Sequence, residues 1–192
     1  MARKTGLSGT YPGGCYVGFN AAIDRKAAEQ LVVTLTDAQK NGFAEAHICI
    51  SSIGGLLDHA YYLFSVIEAL ALRIVTHNVG NIQSAANILF LCGDERYANE
   101  GATFFFHQTG YEAPAARITE PYLAEKLKAA RYDDTRSAAI IAAKTGLSVK
   151  NVRAWQNREL VMDTKMALDH GLIHGVQRLA IPPDALFHQI VV

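Results

Sequence analysis

The sequence predicts an α/β fold built on a parallel sheet, and three observations carry that expectation. Short apolar runs rich in β-branched and aromatic residues alternate with longer segments of helical spacing between Cys15 and His107. Glycine or small polar residues punctuate the joins. Half of the 192 residues are hydrophobic and 19% are charged, the balance of a chain with a sizeable core. No linker, repeat or low-complexity tract divides it, so one domain over residues 15–192 is expected behind a Gly- and Pro-marked leader, residues 1–14.

The elements follow in order. "CYVGFN" (15–20) reads as a strand. The next segment carries Ala28, Leu31, Val32 and Leu35 on one helical face, with Asp24 as N-cap and Gly42 as stop. "AHICIS" (46–51) is a buried strand, the glycine pair Gly54-Gly55 a tight turn, and residues 57–70 a helix. "RIVTHNV" (73–79) is a strand, a helix opens near Ser84 and stops by Gly93, and "ATFFFH" (102–107) is a strand again. Right-handed crossovers then make the sheet parallel and leave the loops at its strand C-termini, "SSIGG" and "GNIQS", as the place for reactive groups. Beyond Thr119 the pattern changes to a long helix (119–144) opened by Pro121, with Leu123, Leu127, Ala130 and Ile141 on a partial stripe that needs a partner surface. A shorter helix capped by Ser148, then a helix end, a turn at Gly171 and a strand complete the chain.

Composition excludes several function classes. Eighteen basic residues balance eighteen acidic ones, so no nucleic-acid or anionic-membrane partner is expected. The "AWQNRE" run around Trp155 resembles a homeodomain recognition helix but lacks the basic cluster that binds phosphate, and Trp155 is expected to pack. Three cysteines, an odd number, with Cys49 and Cys92 inside apolar runs, point to a reducing compartment. The N-terminus lacks the apolar run of a signal peptide, so a cytoplasmic location is expected. His170 and His174 are separated by Gly171, which breaks a shared helical face; no metal and no cofactor is expected.

Taken singly, Ser84 reads as a helix cap, His107 as a boundary residue and Gly54-Gly55 as a turn. Ile82 and Ala86 stand where the G-x-S-x-G elbow needs glycine, which excludes an α/β-hydrolase. Together they supply what acyl transfer requires: a hydroxyl, a base, and backbone N–H groups for the developing oxyanion. Gly55 and Ala85 offer the two donors.

The order "SSIGG", "GNIQSAANIL", "FFFHQTG" resembles the proteolytic subunit of the Clp protease family, in which S-P-G-G, G-x-A-A-S-M-A and M-I-H-Q-P occur in that sequence. The likeness runs from Tyr16 to Arg178 and includes the tail "TGLSVKNVRAWQNRELVMDTKMALDHGLI". It implies a spiral of repeated β-β-α units, shared with the crotonase superfamily, from which the long helix protrudes as a handle. It also implies a serine peptidase acting on peptides or unfolded proteins inside a homo-oligomer of stacked rings, with Ser84 as nucleophile, His107 as general base, and Gly55 and Ala85 as oxyanion donors. Glu159 falls where the family has the triad aspartate, with Asp163 as the nearby alternative.

Three departures bear on this. The glutamate carries an extra methylene, and loss of the triad acid costs a serine hydrolase about 10⁴ in turnover. Ile53 replaces the motif proline, and the bulk of Ile82 and Gln83, where the family has small residues, predicts a narrowed or reshaped substrate groove. The leader is shorter than the family's N-terminal segment, which weakens the expectation of an AAA+ unfoldase partner. A catalytically impaired relative and a crotonase-like acyl-CoA enzyme are the rival readings.

Overall fold

Asp24 accepts a hydrogen bond from the Ala27 N–H at 2.8 Å and caps helix α1 (Arg25–Lys40), which buries Ala27, Ala28, Leu31, Leu35 and Ala38. This is the face its spacing predicts, with Val32 half-buried at the edge. The computed structural model of the chain describes residues 13–111 and 117–191; apart from Gly13 and Gly14, the expected leader lies outside them.

Strands β1 (Cys15–Phe19), β2 (Glu45–Ser52) and β3 (Arg73–Gln83) run parallel, joined by α1 and by α2 (Leu57–Ala69). β3 is longer than its apolar run because it changes neighbours along its length. Val75–Asn78 pair with β4 (Glu95–Ala98), and Asn81–Gln83 pair with β5 (Thr103–Phe106). The short helix α3 (Ala86–Phe90) returns the chain from β3 to β4.

After β5 come α4 (Glu120–Thr145), α5 (Val149–Asn157), β6 (Leu160–Met162), α6 (Thr164–Asp169), β7 (Gly175–Val176) and β8 (Leu186–Gln189). The sheet order is β6-β5-β3-β2-β1-β8, with β4 between β3 and β7. One correction to the all-parallel expectation follows: β6 lies antiparallel to β5, Phe106 opposite Leu160.

A continuous buried cluster gathers residues from Cys15 to Ile190. Its largest enclosed side chains include Phe19, Leu31, Ile48, Leu63, Phe90 and Phe104. Each contributes about 1.5–3 kcal/mol by leaving water. Trp155 belongs here, its ring 5.4 Å from Phe106 and 5.2 Å from His170, so it packs as expected. All three cysteines are free and buried.

Two polar features sit within this frame. Four rings cross the sheet side by side: Tyr16, His47, His77 and Tyr97, with centroids 4.4, 5.3 and 5.8 Å apart. His47 Nδ1 and His77 Nε2 share a hydrogen bond at 3.0 Å, and burial lowers both imidazoles, His77 to about 4. On β4, next to Tyr97 in the chain, the buried Arg96 guanidinium donates to the carbonyls of Gly93, Lys144, Gly171 and Leu172. It thereby ties β4 to the end of α4 and to the turn after α6.

Helix α4 is about 39 Å long at 1.5 Å per residue. Only its second half is covered, through Asp134, Ser137, Ala138, Ile141 and Ala142. Leu123 and Leu127 are exposed, so the start of the expected stripe faces outward from its own chain.

Candidate active site

The site forms where β2 and β3 end. Ser52, the last residue of β2, donates its hydroxyl to the Ala21 carbonyl at 2.6 Å and accepts the Gly54 N–H at 3.1 Å. Ile23 then brackets Gly55 in the manner of a parallel bridge: its N–H bonds the Gly54 carbonyl and its carbonyl accepts from Leu56, both at 2.8 Å. In such a bridge the bracketed residue's own N–H points away from its partner. The Gly55 N–H accordingly has no hydrogen-bond partner among the described residues.

Gly54 must be glycine for two reasons. Its φ is +91°, and a Cβ there would lie 2.7 Å from the Gln83 carbonyl oxygen and 2.8 Å from the Ser84 Cβ. The glycine turn is pressed directly against the serine turn.

Ser84 follows β3 with φ +53°, a left-handed conformation that only Glu159 shares among the described non-glycine residues. Such a residue stores about 1–3 kcal/mol and persists where its surroundings over-determine it. They do so here: the Ser84 N–H bonds the Phe105 carbonyl at 3.0 Å, and the Ser84 carbonyl accepts from the Asn87 N–H at 3.1 Å and from its Nδ2 at 3.0 Å. The Ala85 N–H, like that of Gly55, has no partner among the described residues.

His107 extends from the end of β5, half-buried, with its ring stacked on Phe105 at 5.3 Å and 6°. The segment behind it is anchored: the Thr109 N–H bonds the buried Asp134 carboxylate at 2.7 Å, and Asp134 is paired with Arg153 at 2.8 Å. Gly55, Ser84, Ala85 and His107 line one cavity of about 790 Å³, with Leu56, Ile88, Phe106 and Ile141 among its apolar walls. Of the five residues expected from the sequence, these four meet at one place.

Glu159 does not line this cavity. It is exposed, takes φ +51° at the end of α5, and precedes β6, whose register with β5 sets it beside the residue that follows Phe106. No hydrogen bond links His107 to Glu159 or to Ser84 among the described residues. Asp163, the alternative, caps α6 by accepting the Met166 N–H at 2.8 Å. The two bulky residues before the serine stand apart from the cavity. Ile82 is fully buried against β5, and neither Ile82 nor Gln83 lines the cavity.

Sequence reasoning missed Asn87 and Gln156, which line the cavity, and the Asp134–Arg153 pair that holds Thr109. Asn87 had one available signal, an amide in the middle of the apolar run "SAANILFLCG". The others reveal themselves only when α4, α5 and β5 meet.

Comparison with known proteins gives the chain its family. The family model "Clp protease" matches residues 15–179. The ATP-dependent Clp protease proteolytic subunit 2 of Treponema pallidum is 29% identical over 136 residues, covering 68% of this chain and 65% of that protein. The ATP-dependent Clp protease proteolytic subunit of Paracoccus denitrificans is 25% identical over 158 residues, covering 81% and 78%. Among solved structures, a ClpP1 mutant from Listeria monocytogenes superposes with a TM-score of 0.75 at 19% identity, over 85% of this chain and 91% of that one, a likeness of fold. A match over most of the chain, with the glycine turn, the serine turn and the histidine strand converging in space, establishes that this protein belongs to the Clp protease family.

Proposed function

We propose that the chain is a serine-type endopeptidase of the Clp proteolytic-subunit kind. One observation carries the reading: a strained serine and a histidine line the same cavity as two backbone N–H groups without partners, Gly55 and Ala85. Ser84 Oγ attacks the peptide carbonyl carbon while its proton passes to His107. The carbonyl oxygen becomes an oxyanion held by the Gly55 and Ala85 N–H groups. Collapse of the tetrahedral species breaks the C–N bond, and His107 returns the proton to the departing amine. Water, deprotonated by His107, then releases the acyl group from Ser84. Glu159 takes the family's carboxylate position and orients the imidazole from the turn before β6.

The substrate is a peptide or an unfolded chain, and the working form is a homo-oligomer of stacked rings. In support, Leu123 and Leu127, one turn apart on the first half of α4, form an apolar strip that the chain's own fold leaves uncovered. A cytoplasmic location fits the free, buried thiols, and no helix among the described residues is long and apolar enough to cross a membrane.

The exposed position of Glu159 favours a second reading, a catalytically impaired member of the family. A fluorophosphonate probe decides between them. The expected result is labelling of Ser84 that disappears in both Ser84→Ala and His107→Ala. An assembled wild-type protein that takes no label overturns the peptidase reading.

A further inference from the structure

We propose that Asn87 is a positioning residue that locks the Ser84–Ala85 peptide with its N–H turned toward the substrate carbonyl; this rests on the peptidase reading above. In a planar trans peptide the carbonyl and the N–H point in opposite directions. Fixing the Ser84 carbonyl from behind therefore fixes where the Ala85 N–H aims.

Two donors do the fixing, and both belong to Asn87. Its backbone N–H reaches the Ser84 carbonyl at 3.1 Å, a contact any residue in this turn could make. Its side-chain Nδ2 adds a second bond to the same oxygen at 3.0 Å and spends its other hydrogen on the Phe105 carbonyl at 2.9 Å. The Phe105 carbonyl also accepts the Ser84 N–H at 3.0 Å and lies two residues before His107. One side-chain amide thus joins the nucleophile's turn to the strand that carries the base.

The orientation of the amide is not arbitrary. An end that faces two carbonyl oxygens has to be the NH₂, because the oxygen placed there would oppose two other oxygens. Asn87 is 1% exposed, and its Oδ1 is buried without a hydrogen-bond partner among the described residues. An apolar side chain of the same size would leave no such orphan, so what the amide contributes here comes through its two donors. Rotating the Ser84–Ala85 peptide would break both bonds to the Ser84 carbonyl and turn that oxygen into the cavity where the oxyanion forms. It would also set an N–H against the Asn87 NH₂. The strained φ of Ser84 makes this a turn that needs such support.

The test uses full-length, assembled protein with Asn87→Leu, which keeps the size and removes both side-chain donors, and Asn87→Ala. A peptide cleaved by the wild type gives kcat and KM. A peptide boronate, which forms a tetrahedral adduct on Ser84, is compared with an uncleavable peptide of the same sequence. Expected is a fall in kcat of about 10² to 10³, the range for losing one oxyanion donor, with KM changed less than about threefold. Boronate affinity falls by a similar factor while the uncleavable peptide binds as before. Unchanged kcat, or equal loss of boronate and uncleavable peptide, overturns the lock and leaves the peptidase reading standing. A wild type that neither cleaves peptide nor takes the fluorophosphonate label overturns both. Should the variants not assemble, a structure of wild type with the boronate decides. The lock requires the boronate oxygen on the Ala85 N–H with Asn87 Nδ2 still on the Ser84 carbonyl, and a reversed peptide or a displaced amide refutes it.

Discussion

Ser84 sits in a turn held by its own N–H, by both donors of Asn87 and by a glycine loop in van der Waals contact, whereas the imidazole of His107 is held by one stacked ring. Beyond His107 the backbone is anchored at the Thr109 N–H and the Gln108 side chain donates to Asn157 Oδ1, yet the His107 ring has no hydrogen bond among the described residues. Glu159, its expected orienting partner, is exposed. In the proposed mechanism the electrostatic half of the site is therefore the rigid half. The proton-transfer half is built on a firm backbone with adjustable side chains.

That contrast can be broken most forcefully at the nucleophile. Ser84→Ala should lower kcat on a fluorogenic peptide by about 10⁴ or more, since only binding and the oxyanion donors are left. Next in size is Gly54→Ala, whose Cβ would lie 2.7 Å from the Gln83 oxygen. Moving the serine turn by a fraction of an ångström should cost about 10² in kcat. Ile53→Ala, one residue away but 71% exposed, should leave kcat within about twofold. Equal effects of these two would show that the serine turn is not the rigid part.

Acid should separate the site from the sheet beneath it. His77, on the strand that ends at Ser84, is held at about 4 by burial and by His47. In the unfolded chain it titrates near the ordinary histidine value, about 6.5. Above that pH neither state is charged and the full stability is present. As the pH falls from 6.5 toward 4 the unfolded chain takes up the proton and the folded one does not, so stability is lost. From His77 alone about 2 kcal/mol should be gone at pH 5, roughly 30-fold in the folding equilibrium. Urea midpoints at pH 7.5 and 5 measure it, and His77→Phe should flatten the difference. A smaller loss than at Ser84 or Gly54 is expected at Glu159→Gln, about tenfold in kcat, against about 10⁴ for a triad acid bound to its histidine beforehand. A loss near 10⁴ would mean that the carboxylate closes on the imidazole during turnover.

Legibility in the sequence followed signal length and locality. Helix α1 announced itself through Asp24 and a four-position stripe, and α4 through Pro121 and its sheer extent. Strands β4, β6 and β8, of three or four residues each, are too short for periodicity to show. The convergence of Gly55, Ser84, Ala85 and His107 was readable because each ends or follows a strand of the same sheet. Asn87 was not, because its meaning depends on a carbonyl 18 residues away. Glu159 is visible only by family resemblance; by itself it is a charge at a helix end.

The Arg96 knot has a further implication. Its cation is neutralised by carbonyl dipoles in the interior, so dissolved ions cannot reach in and compete for it, as they can for the exposed Lys165–Asp169 pair. Brine should loosen the periphery of the molecule long before it frees the last third of the chain from β4.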